Sequence, residues 1–352
     1  MLAADAKPSS PAESVARTGR SDMEWQEIVE PVRPFLAAVS RRLEEQLDAF
    51  EPEIVEPARY ALASRGKQLR PALVGLAAEA SGGIRDEHVN VATIIEMVHL
   101  ATLVHDDVMD DARIRRQRPT VARQWGNSVA ILLGDALFAH ALTMAAAFPT
   151  TAVCRAVAAA TRTVCSGEII QTLHQGQFEL AREHYLRVLR MKTAELFALA
   201  CSQGASLAGA GEPAVTALHH YGMALGTAYQ VYDDCVDLVG REDKVGKSLG
   251  TDLSNGKPTL PVIHTLEKAE PKERAALLRL LEDWKPSNRP QLMEVLRRHD
   301  ALAASAETIA GMCREAAAAL APLPETPGRT ALEQAARFLA GRARALMVPR
   351  PA

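Results

Sequence analysis

The chain has 352 residues, 48% hydrophobic and 24% charged, a balance that provides a large apolar core and excludes an intrinsically disordered protein. A formal net charge of −3 gives no global reason to bind nucleic acid, so basic clusters have to be judged singly. The five cysteines (Cys154, Cys165, Cys201, Cys235, Cys313) show no metal-ligand spacing and are odd in number, which fits reduced thiols in a cytoplasm rather than a disulfide framework.

Residues 1–21 are rich in Ala, Pro and Ser and lack the apolar stretch of a secretory signal; they are expected to form a flexible tail ahead of one domain over 22–352. Alanine is abundant, β-branched alternation is scarce and apolar residues recur at helical spacing, so the predicted fold class is all-α, a single large helical bundle. A first amphipathic helix is predicted from Trp25 to Phe50, interrupted near Pro31 and Pro34. A second runs from Glu56 to Arg65, where Gly66 suits a C-cap. Pro71 falls in the first turn of a third, which Ser81-Gly82-Gly83 ends. A fourth covers Glu87 to Asp110, before a polar, basic loop from Asp111 to Thr120. Helices are then predicted over Val121–Ala147, Ala152–Glu179, His184–Ala208 and Glu212–Val239. Gly240 to Lys257 reads as a loop. Beyond it lie Leu260–Lys268, Lys272–Trp284, Arg289–His299, Ala301–Leu320 and Arg329–Met347. The longest apolar stretch, Ser128–Phe148, contains Asp135 and His140 and is expected to be a core helix rather than a membrane span.

One short element occurs twice: Asp106-Asp107-Val108-Met109-Asp110 and Asp233-Asp234-Cys235-Val236-Asp237. Each ends an apolar helical run. Positions i, i+1 and i+4 fall within an arc of roughly 100°, so three carboxylates are expected to converge on one helix face. Packed against a core they repel one another unless a cation neutralises them. Oxygen-only clusters suit Mg²⁺, which keeps several waters and takes its remaining ligands from phosphate. Two distant clusters of this kind are suited to gripping one diphosphate from both sides.

Cations surround both clusters in the sequence. Arg115 and Arg116 lie in the loop after the first, and guanidinium forks match phosphate oxygens. Lys67 and Arg70 stand at a helix start, where free backbone N–H groups also favour an anion. Lys192-Thr193 lies in a mid-chain helix, and Lys247 and Lys257 follow the second cluster.

Taken together these motifs resemble the trans-isoprenyl diphosphate synthases, or polyprenyl synthetases. The resemblance runs from about Arg59 to Leu260. Its signals are Gly66-Lys67-Gln68-Leu69-Arg70-Pro71, Leu103-Val104-His105-Asp106-Asp107-Val108-Met109-Asp110, Arg115-Arg116 and Gly134-Asp135, then Gly167-Glu168, Lys192-Thr193, Tyr229-Gln230-Val231-Tyr232-Asp233-Asp234 and Gly256-Lys257-Pro258-Thr259-Leu260-Pro261. It implies the isoprenoid synthase fold, helices around a central cavity, and a homodimer. It also implies the condensation of isopentenyl diphosphate with an allylic diphosphate. By the same resemblance, Lys67, Arg70, His99 and Arg116 hold the isopentenyl diphosphate. Arg115, Lys192, Thr193, Gln230, Lys247 and Lys257 hold the allylic one. Mg²⁺ is expected on Asp106, Asp110, Asp233 and Asp237, with Asp107, Asp234 and Lys192 completing the catalytic set. His105 is expected to be structural. The chain departs from many relatives at Gln117, where they carry Gly after the arginine pair.

In short-chain relatives a bulky residue four or five positions before the first Asp blocks the product tunnel. Here those positions hold Thr102 and Ala101, so a medium- or long-chain product is expected, with geranylgeranyl diphosphate as the alternative. Met97, Val98, Phe138 and Met144 are candidates to narrow or floor the tunnel. Two other readings are a class I terpene cyclase and a non-catalytic subunit. The second aspartate cluster, with Lys67 and Arg70, argues against the first; the intact motifs argue against the second. The apolar run Val121–Ala147 is the candidate dimer surface.

Overall fold

The computed structural model of the chain describes residues 23–63, 66–239 and 250–346. A short helix, α1 (23–28), and a 3-10 turn (Glu30–Val32) lead into α2 (Arg33–Glu45). Pro31 and Pro34 sit at the starts of these segments, where a missing N–H costs nothing. Helix α3 (Pro52–Ala63) begins earlier than predicted because Pro52 itself occupies the first turn. Then come α4 (Leu69–Glu79) and α5 (Asp86–Met109).

The predicted loop after α5 is a small antiparallel hairpin, β1 (Ile114–Arg115) and β2 (Arg118–Pro119). The single helix predicted over 121–147 is instead two, α6 (Val121–Trp125) and α7 (Asn127–Ala146), because Gly126 takes φ +88° and breaks the run. Helix α8 (Ala152–Leu173) stops short of the predicted end, and Gly176 at φ +81° turns the chain. Helix α9 (Arg182–Leu189) passes through a π-helical turn, Arg190–Ala194, into α10 (Glu195–Leu207). The rest is α11 (Glu212–Val239), α12 (Thr251–Ser254), α13 (Leu260–Lys268), α14 (Pro271–Glu282), α15 (Arg289–Arg298), α16 (Ala301–Ala319) and α17 (Pro327–Ala345).

Helix α10 is the hub. It packs along α11 and α4 and also touches α5, while α7 lies along α5 and α16 along α11. Helix α17 closes over α16 and α4, and the buried Tyr221 hydroxyl donates to the Leu332 carbonyl at 2.7 Å to tie α11 to α17. One continuous core results, including Leu73, Ile94, Leu137, Phe197 and Ile309. A smaller core of Leu253, Leu277, Leu292 and Leu296 stabilises α12 to α15. Each fully buried Leu in these cores contributes about 1.5–3 kcal/mol relative to exposure.

The core-helix expectation for the 128–148 stretch holds for one face of α7 only. Leu133, Leu137 and Ala141 are buried, whereas Val129, Ile131, Leu132 and Leu142 face out. Among the described residues α7 is the one helix long and apolar enough to cross a membrane, and 33% of its apolar window is buried.

Candidate active site

Helix α5 ends in the first aspartate cluster and α11 in the second. Carboxylates at the negative end of a helix dipole are unfavourable, so each cluster depends on cations from elsewhere in the fold. In the first, Asp106 and Asp110 share a face. Asp107 is turned away by about 100° and its side chain is 5% exposed, with Oδ1 accepting from Arg115 Nε at 2.7 Å. The three carboxylates thus keep the expected arc, with Asp107 at its edge committed to Arg115 and anchoring the hairpin.

Lys192 Nζ stands 3.8 Å from Asp106 Oδ2, forms an ion pair with Glu168 and donates to Gln171 Oε1 at 3.0 Å. Lys257 Nζ reaches Asp110 Oδ1 at 2.7 Å, beside Asn255 Nδ2 at 3.3 Å. Burial raises the Asp106 pKa to about 6; Lys192 opposes the rise, and Glu168 and Asp110 add to it. Burial also disfavours the Lys192 ammonium, but Asp106, Glu168 and Asp110 outweigh it and hold this pKa above the ordinary lysine value. Lys192 is thus a permanent cation beside a reluctant anion.

The second cluster is divided in the same way. Asp234 is buried, and it accepts from the Tyr185 hydroxyl at 2.6 Å and from Gln230 Nε2 at 2.8 Å. Asp237 is 1% exposed and accepts from Thr251 Oγ1 and Asp252 N, each at 3.2 Å, so it holds the start of α12. Asp233 is half-buried. Tyr232, beside it, accepts from Arg342 Nε and Nη2 of α17 at 3.1 and 2.9 Å.

The π-turn joins the two halves. Lys192 faces Asp106, and its neighbour Thr193 donates to Gln230 Oε1 at 2.9 Å, which leads on to Asp234. A π-turn shifts side chains around the helix axis, which lets adjacent residues address different partners. Gly167 makes room for it: a Cβ there would meet Met191 Cβ at 2.8 Å and Lys192 N at 2.9 Å. Without that close approach, Glu168 and Gln171 of α8 would not flank the ammonium.

A basic patch lies beside Arg115. The Arg116 guanidinium rests against Gly66, and Arg70 lies 4.9 Å over the Phe197 ring. Arg70 Nε is buried with no hydrogen-bond acceptor among the described residues, a donor suited to an anionic ligand. Burial lowers the pKa of both guanidiniums, and Glu96 opposes this. Guanidinium nevertheless stays protonated in proteins, so both remain cations. His99 is held neutral, its pKa well below the usual value through burial and the nearby Arg70, Arg116 and Arg115. Lys67 lines a pocket of about 120 Å³ with Trp25, Phe197, Tyr229, Phe338 and Arg342.

The structure thus places Lys192, Asp106, Asp110 and Lys257 in one cluster, Thr193, Gln230 and Asp234 in a second joined to it, and Arg70, His99 and Arg116 in a third. Lys247 lies outside the described residues, as do the whole of the predicted tail, Arg65 and Met347. His105 is structural as expected: its ring packs on Gly134, and Nε2 bonds the Ile131 carbonyl at 2.9 Å. Sequence reasoning assigned no role to Glu168, Gln171, Glu96, Tyr185, Asn255 or Arg342. Glu168 was quoted within the Gly167-Glu168 signal, and Gln171 shares its helix face. Glu96 was also legible, as the one acid in the apolar run before His99. Nothing in the sequence marks Tyr185.

No group of three or more His, Cys, Asp or Glu among the described residues forms a ready-made metal cage. The donors nonetheless fit a hard divalent cation. They are carboxylate oxygens from two helix ends, and the Asp106 and Asp110 side chains are partly open to solvent at 19% and 33%. A cation that keeps water and shares phosphate oxygens needs no closed protein cage.

Comparison with known proteins agrees with this geometry. The Polyprenyl synthetase family model matches residues 51–298. Octaprenyl diphosphate synthase of Escherichia coli (strain K12) is 32% identical over 311 residues, covering 88% of this chain and 96% of that one. A crystal structure of a decaprenyl diphosphate synthase from Rhodobacter capsulatus superposes with TM-score 0.85 at 34% identity, covering 91% and 99% of the two chains. A polyprenyl synthase from Caulobacter crescentus CB15, complexed with calcium and isoprenyl diphosphate, gives TM-score 0.85 at 31% identity, covering 90% and 97%. With paired aspartate helix ends, a cationic π-turn between them and a family match across most of its length, the chain belongs to the polyprenyl synthetase family.

Proposed function

We propose that the chain condenses isopentenyl diphosphate with an allylic diphosphate, head to tail and in trans, to give a medium- or long-chain polyprenyl diphosphate. One observation carries this reading: the Lys192-Thr193 turn reaches Asp106 directly and Asp234 through Gln230, so one cation-bearing segment links two carboxylate-rich helix ends. Asp106, Asp110 and Asp233 hold Mg²⁺, while Asp237, expected as a fourth ligand, is committed to Thr251 and the Asp252 backbone. When bound, Mg²⁺ supplies charge neutralisation to the departing diphosphate. Asp107, Asp234 and Asp237 orient Arg115, Gln230 and α12.

Arg115, Lys192, Thr193, Gln230, Lys257 and Lys247 bind the allylic diphosphate. Lys67, Arg70, Arg116 and the neutral His99 bind the isopentenyl diphosphate. The allylic C–O bond breaks, its electron pair leaves with diphosphate, and the fixed cations stabilise that charge. The isopentenyl double bond then attacks the allylic cation to form the new C–C bond. The released diphosphate takes the proton lost from the adduct.

The family's long-chain relatives and the small residues at 101 and 102 support a product beyond fifteen carbons. Ala101, Val98 and Met97 are buried on α5, and the Phe138 ring packs tilted against His105 with centroids 5.7 Å apart. A homodimer is supported by the outward apolar side chains of α7 together with Ile169 and Leu173 of α8. Five free cysteines support a cytoplasmic location. The test is incubation of the purified chain with isopentenyl diphosphate, geranyl or farnesyl diphosphate and Mg²⁺, with products read by mass. Elongation in five-carbon steps supports the reading; no product from the chain alone contradicts it and favours a non-catalytic subunit, and a cyclic hydrocarbon favours a cyclase.

A further inference from the structure

We infer that Tyr60 and Arg118 form a clamp that positions the hairpin carrying Arg115 and Arg116, although neither residue belongs to the diphosphate site itself. The inference rests on the proposed reading of that site as a diphosphate site.

The hairpin cannot hold itself in place. Each strand is two residues long, and a pair of strands of that size is not stable alone. Its turn is strained, with Arg116 at φ +50° and Gln117 at φ +63°, a conformation that suits glycine and that neither residue favours. Ile114 is 52% exposed and adds little burial.

The register creates a second problem. Arg115 lies directly opposite Arg118, so two cations stand side by side on a two-residue ladder. Each has a different counterpart. Arg115 Nε is held by Asp107 at 2.7 Å. The Arg118 guanidinium sits 4.3 Å over the Tyr60 ring. The Tyr60 hydroxyl also donates to the Pro119 carbonyl at 2.7 Å, gripping the same strand from the backbone. Trp125 meets the Tyr60 ring edge-on at 4.9 Å and 76°, which fixes the ring plane that Arg118 covers. Tyr60 comes from α3, remote in sequence and joined to the hairpin only by folding. Tyr60, Asp107, Arg115 and Thr120 share the lining of a gap of about 30 Å³ beneath the hairpin. That gap gives Arg115 room to shift once the clamp is lost.

Tyr60 and Arg118 are therefore positioning residues. They set where the Arg115 and Arg116 guanidiniums stand, so they tune diphosphate affinity without touching the ligand. The test is steady-state kinetics and thermal melting of Arg118→Ala, Arg118→Lys, Tyr60→Phe, Tyr60→Leu and the Arg118→Ala/Tyr60→Leu double variant. Arg118→Ala and Tyr60→Leu should each raise KM for both diphosphates by about three- to five-fold, with kcat nearly unchanged. Arg118→Lys should recover most of the loss, since an ammonium also binds the ring face. The double variant should be no worse than the worse single. Unchanged KM in Arg118→Ala would overturn the clamp. So would additive losses in the double variant, which would mean that Arg118 acts on the ligand directly. If Tyr60→Leu does not fold, Tyr60→Phe and the variants of the exposed Arg118 carry the test. If the wild-type chain condenses nothing, the reading of its activity has failed. Calorimetric binding of inorganic diphosphate with Mg²⁺ to wild type and Arg118→Ala then still decides the clamp, equal affinities refuting it.

Discussion

Replacing Asp106 with Asn should make the protein more stable and inactive at once. Burial lifts the folded-state pKa from 3.8 to about 6, with Lys192 already opposing that rise. A difference of roughly two pKa units corresponds to about 3 kcal/mol carried as a cost by the ionised form at neutral pH. Asn removes that cost but also one partner of Lys192, which keeps Glu168 and Gln171. The net gain should be about 1–2 kcal/mol, or a Tm increase of roughly 1–3 °C in a chain of this size. The pH dependence has a fixed sign. Because folding raises the pKa, protonated Asp106 favours the fold. The advantage of Asn is therefore absent below about pH 4, grows as pH rises through about 6 and is complete at pH 8. Urea unfolding of both proteins in EDTA at pH 4.5 and 8 measures this. A variant less stable than wild type at pH 8, or a gain equal at both pH values, would refute the reasoning. Adding Mg²⁺ with inorganic diphosphate should then stabilise wild type and leave the variant unmoved.

Gln117→Gly should stabilise the chain by about 0.5–1 kcal/mol in thermal melting, since Gln117 holds φ +63° where glycine is at ease; a loss of stability would show that its side chain contributes more than its backbone costs. Tyr185→Phe removes a 2.6 Å hydrogen bond to a buried carboxylate and should cost about 1.5–3 kcal/mol in urea unfolding, while raising KM for the allylic substrate through Gln230. Ala101→Phe places a ring where the side chain is fully buried on α5 and should shorten the product, read by mass; an unchanged product length would remove this wall from the account.

Much of this was legible before any coordinates. Strong periodicity and glycine or proline punctuation located nearly every helix, including α11 at Glu212–Val239 and α13 at Leu260–Lys268. The paired motifs stood out because acids rarely end apolar helices. What escaped were features decided by tertiary contact. The π-turn at Arg190–Ala194 packs closely on α8 at Gly167, a contact between segments that no local spacing marks. The hairpin after α5 is too short to carry a strand pattern and is held by Tyr60 from another helix. Asp107, Asp234 and Asp237 look equivalent to their neighbours in sequence, yet burial turns them into struts. Tyr185 supplies a hydroxyl to Asp234 from across the fold, and no local spacing announces such a bond.

The central claim is that the two helix ends act together on one diphosphate. Single-turnover condensation at saturating Mg²⁺ tests it with Asp106→Ala, Asp233→Ala and the double variant. Each single change should slow the reaction by about 100- to 1000-fold, and the double should be little worse than either. Near wild-type turnover in either single variant, or losses that multiply in the double, would contradict a shared clamp.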